Sequence, residues 1–227
     1  MSEVKVIQVN ESVFAENDRT AELLRKRLTA QGTLFLNFMS SPGSGKTTTL
    51  VTLINRLKDR LNIGEMDADI ESTLDAQRVA DRTGIRSLQI HNGGLCHIDA
   101  DMTARALLEY DTAGLDLLIL ENIGNLVCPA EFDTGAHWNV TILSVPEGDD
   151  KPLKYPLMYQ VSDVVLINKI DTLDYFDFDL EKAKERILAL NSNAIFFPIS
   201  AKSGEGLDDV CEWIINNVTT IKVSSEV

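Results

Sequence analysis

The residues best equipped for chemistry are Ser40-Ser41-Pro42-Gly43-Ser44-Gly45-Lys46-Thr47, set between the apolar run Leu34-Phe35-Leu36-Asn37-Phe38-Met39 and a helical pattern. A Gly-rich turn in that position aims successive backbone N–H groups at one point, and the helix N-terminus adds partial positive charge, so the turn is an anion site. Gly43 and Gly45 allow positive φ and close approach to phosphate, and Ser44 and Thr48 complete the cradle. Lys46 reaches the β- and γ-phosphates and the Thr47 hydroxyl ligates Mg²⁺. Ser40 stands where the G-x-x-x-x-G-K-[ST] pattern has its first glycine, but the strand before and the helix after meet the motif's structural requirement.

The base is addressed by Asn168-Lys169-Ile170-Asp171, which ends the apolar run Val164-Val165-Leu166-Ile167. Ligands bind at the carboxyl ends of strands in open parallel sheets. The Asp171 carboxylate accepts two hydrogen bonds from guanine N1–H and N2–H₂. Adenine offers only a bare acceptor there and leaves the carboxylate unpaired. The Lys169 stem lies along the base and Asn168 braces the loops. Ser200-Ala201-Lys202 follows a further strand over 194–199 and offers the Ala201 N–H to guanine O6. Three loops in this order define a guanine-nucleotide site.

Hydrolysis needs charge neutralisation at the γ-phosphate. Lys46, Asp75 and Glu121 are the candidate catalytic residues, and Thr47, Asp69, Asp75 and Glu121 the candidate Mg²⁺ set. Glu121 ends the run Leu117-Leu118-Ile119-Leu120, where such an acid meets the ion, usually through water. Asp67 reads as a surface acid. No arginine stands out as a finger, so slow intrinsic turnover is expected.

Cys96-His97 and Cys128 form a second constellation. Cys128 closes Asn122-Ile123-Gly124-Asn125-Leu126-Val127-Cys128, directly after Glu121. Thiolate and imidazole suit Zn²⁺ and also Ni²⁺. Three ligands leave the site open to water, another residue or a second subunit. The same residues also read as two small buried hydrophobes and a capping imidazole. Cys211, between Val210 and Trp213 in a helical pattern, reads as core, His91 as a hydrogen-bonded histidine, and His137 has no evident partner.

These loops need a frame. Strands are expected at 34–39, 63–68, 86–90, 116–121, 139–145, 163–168 and 194–199, and helices at 16–31, 46–61, 72–82, 99–110, 179–190 and 206–218. Such alternation gives an α/β fold, a three-layer P-loop NTPase with a mostly parallel sheet between helices. Residues 1–32 read as an N-terminal extension with an amphipathic helix packed on the flank, and 33–227 as the GTPase domain. The 227 residues, 44% hydrophobic, suit one domain. The net charge of −14 opposes nucleic-acid binding and docking on an anionic membrane. The first residues lack a signal peptide's apolar core, and no run is long enough to span a bilayer, so a cytoplasmic protein is expected. Three cysteines do not suggest a disulfide scaffold.

Four segments resemble the HypB family, the nickel-incorporation GTPases of hydrogenase maturation: Cys96-His97-Ile98-Asp99-Ala100, residues 121–135 from Glu121 through Cys128-Pro129 to Gly135, residues 147–156 beginning Glu147-Gly148-Asp149-Asp150-Lys151-Pro152, and Asn168-Lys169-Ile170-Asp171. The resemblance covers roughly 33–212. It implies a GTPase of the signal-recognition/MinD-like class that uses GTP, GDP and Mg²⁺ and forms a homodimer promoted by GTP. It also implies Ni²⁺ or Zn²⁺ held by Cys96, His97 and Cys128. The implied partners are a small hydrogenase-maturation metallochaperone and the [NiFe]-hydrogenase large-subunit precursor. Some members carry an N-terminal Cys-x-x-Cys-Gly-Cys motif or a His-rich run. This sequence has neither, its first cysteine being Cys96 and its histidines His91, His97 and His137. All metal transfer is then expected to pass through the Cys96, His97 and Cys128 site, or a partner supplies the storage. The competing readings are a regulatory GTPase with structural cysteines, a nickel-loading GTPase for another enzyme such as urease, and a non-hydrolytic interaction module.

Overall fold

Every residue of β1 (Leu34–Ser40) is buried, the signature of a strand covered on both faces. The computed structural model, which describes residues 10–69 and 74–225, sets β1 in the middle of a sheet. Among the described residues the other strands are β2 (Ile63–Ala68), β3 (Arg86–Ile90), β4 (Leu117–Gly124), β5 (Trp138–Ser144), β6 (Val164–Asn168) and β7 (Ile195–Pro198), all parallel to their neighbours in the order β3-β2-β4-β1-β5-β6-β7. The chain winds outward from β1 to one side, returns to β4, then crosses β1 to build the other side. The crevice at the carboxyl ends of β4, β1 and β5 lies where that reversal occurs, as in ligand-binding open sheets.

The helices are α1 (Asn10–Ala30), α2 (Lys46–Leu57), α3 (Leu74–Thr83), α4 (Ala100–Glu109), α5 (Lys151–Lys154), α6 (Pro156–Gln160), α7 (Leu180–Leu190) and α8 (Leu207–Ser225). Strand alternation sends Leu34, Leu36 and Phe38 to one face, against Leu50 and Ile54 of α2, Val79 of α3 and Ile214 of α8. Phe35 goes to the other face, against Leu24 and Leu28 of α1 and Leu107 of α4. Met39 and Val165 join Met158 and Tyr159 of α6 and Ile187 of α7. Each such side chain contributes about 1.5–3 kcal/mol on burial, so β1 enters the phosphate turn as a fixed strut.

The expected elements are present with shifted ends. β4 runs to Gly124 rather than 121, because after an irregularity Ser40 still pairs with Gly124. α8 runs to Ser225 rather than 218, α2 stops at Leu57 rather than 61, and α1 is already helical at Asn10 rather than 16. The expected start of α3 at 72 and the outer ends of the 1–227 span lie outside the described residues. α5 and α6, four and five residues long with Pro152 and Pro156 in their first turns, are too short for periodicity to reveal. His137 is not unpartnered. Its Nδ1 accepts from the Phe35 N–H at 2.9 Å, and its Nε2 lies 2.9 Å from Thr29 Oγ1. No helix among the described residues is long and apolar enough to cross a membrane.

Candidate nucleotide and metal site

The turn between β1 and α2 lines a cavity of about 720 Å³, bordered also by Asp69, Asp75, Arg78, Gly124 and Lys169. Gly45, the N-cap of α2, has φ +97°, and a Cβ there would stand 2.6 Å from Asn168 Nδ2. The position therefore demands glycine for both conformation and space. Gly43 also has positive φ, with open space around it. Ser44 is buried, while Thr48 is exposed at the cavity edge.

Asn168 holds the base-side loops to the phosphate turn. Its Nδ2 donates to Ser44 O at 2.9 Å, and its Oδ1 accepts from the Lys169 and Ala201 amides at 2.8 and 3.0 Å. The Ala201 amide, expected to face guanine O6, donates to Asn168 in this structure. Ser200 Oγ donates to Asp171 Oδ1 at 2.6 Å, orienting the carboxylate. Among the described residues, Lys169 is the non-glycine with positive φ, at 64°, and its Nζ donates to Gly43 O at 2.7 Å. The lysine stem thus crosses from the base loop to the phosphate turn. Lys202 is exposed.

Glu121 accepts from both Lys46 and Thr47. Lys46 Nζ lies 3.0 Å and Thr47 Oγ1 2.7 Å from its Oε1. Its Oε2 is buried without a protein partner, as are Asp67 Oδ2 and Glu65 Oε1. Glu65, Asp67 and Glu121 each bring a carboxylate oxygen within 4.8 Å of the others. Asp67 is corrected from surface to core: it is 2% exposed, because β2 lies between β3 and β4 and both its faces are covered. Burial and then the charge of Glu121 push the Asp67 carboxyl up to about 7, and burial holds Glu65 well above the usual carboxylate range. Asp69 and Asp75 border the cavity but do not join this cluster, and Asp75 pairs with Arg78 at 2.6 Å. The Thr47 hydroxyl and the orphaned buried oxygens of Glu121 and Asp67 are hard donors that fit Mg²⁺.

Cys96 and Cys128 meet across two loops, Sγ to Sγ at 2.7 Å, well beyond the roughly 2.05 Å of a disulfide. Both are free thiols, as is the core Cys211. The neighbouring Cys128 thiol and then burial push the Cys96 thiol up. His97 does not complete the set: neither ring nitrogen lies within 4.8 Å of both sulfurs. The imidazole instead stacks on Phe132, centroids 4.0 Å apart and planes 7° from parallel.

Arg78 was missed in the sequence because it sits mid-helix among charges; only its place on α3 facing the phosphate cavity distinguishes it. Glu65 was missed because an acid inside a strand reads as an outward position. Phe132 gave no signal at all.

Residues 34–198 match the family model described as the CobW/HypB/UreG nucleotide-binding domain. The chain is 42% identical over 214 residues to a hydrogenase maturation factor HypB from Rhizobium leguminosarum bv. viciae, covering 94% of this chain and 71% of that protein. It is 41% identical to a hydrogenase/urease maturation factor HypB from Helicobacter hepaticus, covering 92% and 87%. Among solved structures it is similar to HypB from Helicobacter pylori in complex with nickel, with TM-score 0.83, 39% identity and coverage of 90% and 96%.

Proposed function

The chain belongs to the HypB family of hydrogenase maturation factors, and from that premise we propose that it is a Mg²⁺-dependent GTPase that carries nickel to a [NiFe]-hydrogenase precursor and gates its transfer. The observation that carries this reading is the position of Cys128. The segment that begins with Glu121, bonded to Lys46 and Thr47, reaches seven residues on to a thiol 2.7 Å from Cys96. Nucleotide chemistry and metal chemistry share one stretch of backbone.

Lys46 and Thr47 bind the β/γ-phosphate end of GTP, and Asp171 selects guanine. Thr47 and Glu121, with Asp67 behind them, would hold Mg²⁺, which would neutralise phosphate charge. Asp75 borders the same cavity and is the candidate to orient the attacking water, with Asp69 beside it. In this reading Lys46 and Thr47 turn from Glu121 Oε1 toward phosphate and Mg²⁺ when GTP binds. Gly124, whose Cβ position would stand 3.1 Å from Pro42, carries that change past the phosphate turn toward Cys128. Turnover is slow, matching a switch rather than a metabolic enzyme.

Nickel is cargo. Cys96 and Cys128 take it first, and His97 joins them. Zn²⁺ competes for the same thiolates. The open site fits transfer across a GTP-promoted homodimer, from a small metallochaperone to the hydrogenase large subunit, in a reducing cytoplasm. The similarity to a hydrogenase/urease maturation factor favours a second reading, in which the same device also loads urease. The test is a nickel titration of wild type against Cys128→Ala, with GTP affinity measured in parallel. Loss of nickel binding with GTP affinity retained supports the reading; an unchanged titration overturns the site.

A further inference from the structure

The imidazole expected to complete the thiol site is held elsewhere, and the parts that hold it belong to α1. His97 stacks on Phe132, and Phe132 in turn contacts Phe14 of α1, centroids 5.4 Å apart. Asn17, 8% exposed, joins the two ligand-bearing loops: its Oδ1 accepts from Ala100 N at 2.8 Å and its Nδ2 donates to Asp133 O at 3.0 Å. Arg25 clasps both Asp133 carboxylate oxygens at 2.9 and 2.7 Å and donates to Ala136 O at 2.9 Å. Gly135, with φ +84°, lets the loop lie so close to α1 that a Cβ there would stand 2.9 Å from Leu24. Phe132 also lines a hollow of about 400 Å³ between α1 and α4, bordered by Asn17, Thr20 and Asp99.

We infer that Phe132, seated by α1 through Asn17 and Arg25, is a latch that keeps His97 stacked off the Cys96–Cys128 pair, and that its release lets His97 complete the metal site. Phe132 and Asn17 are positioning residues: neither supplies a metal donor. An aromatic pair of this kind sets the imidazole in competition between ring and ion, so the stack lowers metal affinity by about two- to tenfold. The inference rests on the nickel-carrier reading.

The experiment is Ni²⁺ titration of the full chain in wild type, Cys128→Ala, Phe132→Leu, Phe14→Ala and the Phe132→Leu/His97→Ala double variant. X-ray absorption at the nickel edge reports imidazole coordination. Phe132→Leu is expected to bind Ni²⁺ about two- to tenfold more tightly, with a stronger imidazole signature, and the gain vanishes in the double variant. Phe14→Ala, which removes only the outer, partly exposed ring, gives a smaller gain in the same direction and stands if Phe132→Leu does not fold. Wild-type affinity and spectrum in both single variants, or a gain that survives loss of His97, overturns the latch alone. Equal binding by wild type and Cys128→Ala overturns the carrier reading and the latch with it.

Discussion

Lys46 and Glu121 form a nearly buried ion pair, Nζ to Oε1 at 3.0 Å, with side chains 13% and 1% exposed. Thr47 bonds the same oxygen. The two side chains expected to meet phosphate and Mg²⁺ therefore share one carboxylate oxygen.

Glu121→Gln leaves Lys46 without its counter-charge while keeping an oxygen acceptor. The free protein is expected to lose about 1–3 kcal/mol of stability. The loss shrinks at saturating GDP, because phosphate then pairs with the lysine. Melting curves with and without GDP check this. An equal loss in both states shows that Lys46 does not change partners.

Asp171→Asn is expected to exchange guanine for xanthine. The amide oxygen still accepts from N1–H, and the amide N–H₂ now faces an acceptor at C2, which xanthine has and guanine lacks. Ser200 Oγ, 2.6 Å from Asp171 Oδ1, has an acceptor in either variant. GTP affinity should fall roughly 10- to 100-fold while XTP affinity rises, since one unsatisfied buried polar group costs about 1–3 kcal/mol. Competition binding with both nucleotides measures it, and parallel losses for both contradict the base-site geometry.

Stability should fall on acidification in a way His137 controls. Burial, with the nearby Arg25 charge, depresses its imidazole to about 4. Its Nδ1 must stay unprotonated to accept from Phe35 N–H. The unfolded chain binds that proton near pH 6.5 and the folded chain only near 4, so this contribution is whole above about 6.5 and is lost as pH falls toward 4. His137→Asn, whose Oδ1 replaces Nδ1 as acceptor, should melt lower at pH 7 and show a flatter decline between pH 7 and 5. Parallel slopes contradict the assignment.

Much of this was legible because the phosphate turn, Asn168-Lys169-Ile170-Asp171 and the strands before them are contiguous, and local sequence fixes a turn between a strand and a helix. What escaped depends on contacts between distant segments. The depth of Asp67 follows from β4 lying beside β2, and the partners of His137 come from positions about a hundred residues away. Cys96, His97 and Cys128 were visible as metal-binding residue types. The stacking of His97 on Phe132, and the reach of Asn17 to both loops, required α1 to be docked. Residue type suggested the chemistry; only packing showed that the two thiols are together and the imidazole is stacked on Phe132.

The central claim is that the Lys46–Glu121 exchange reaches Cys128. It is tested most directly by calorimetric titration of Ni²⁺ into the protein loaded with GDP and then with a non-hydrolysable GTP analogue, Cys128→Ala serving as control. The account predicts that nickel affinity differs between the two states by at least about fivefold, and that the difference disappears with the thiol. Identical nickel binding in both states contradicts it and leaves hydrolysis to serve partner docking instead.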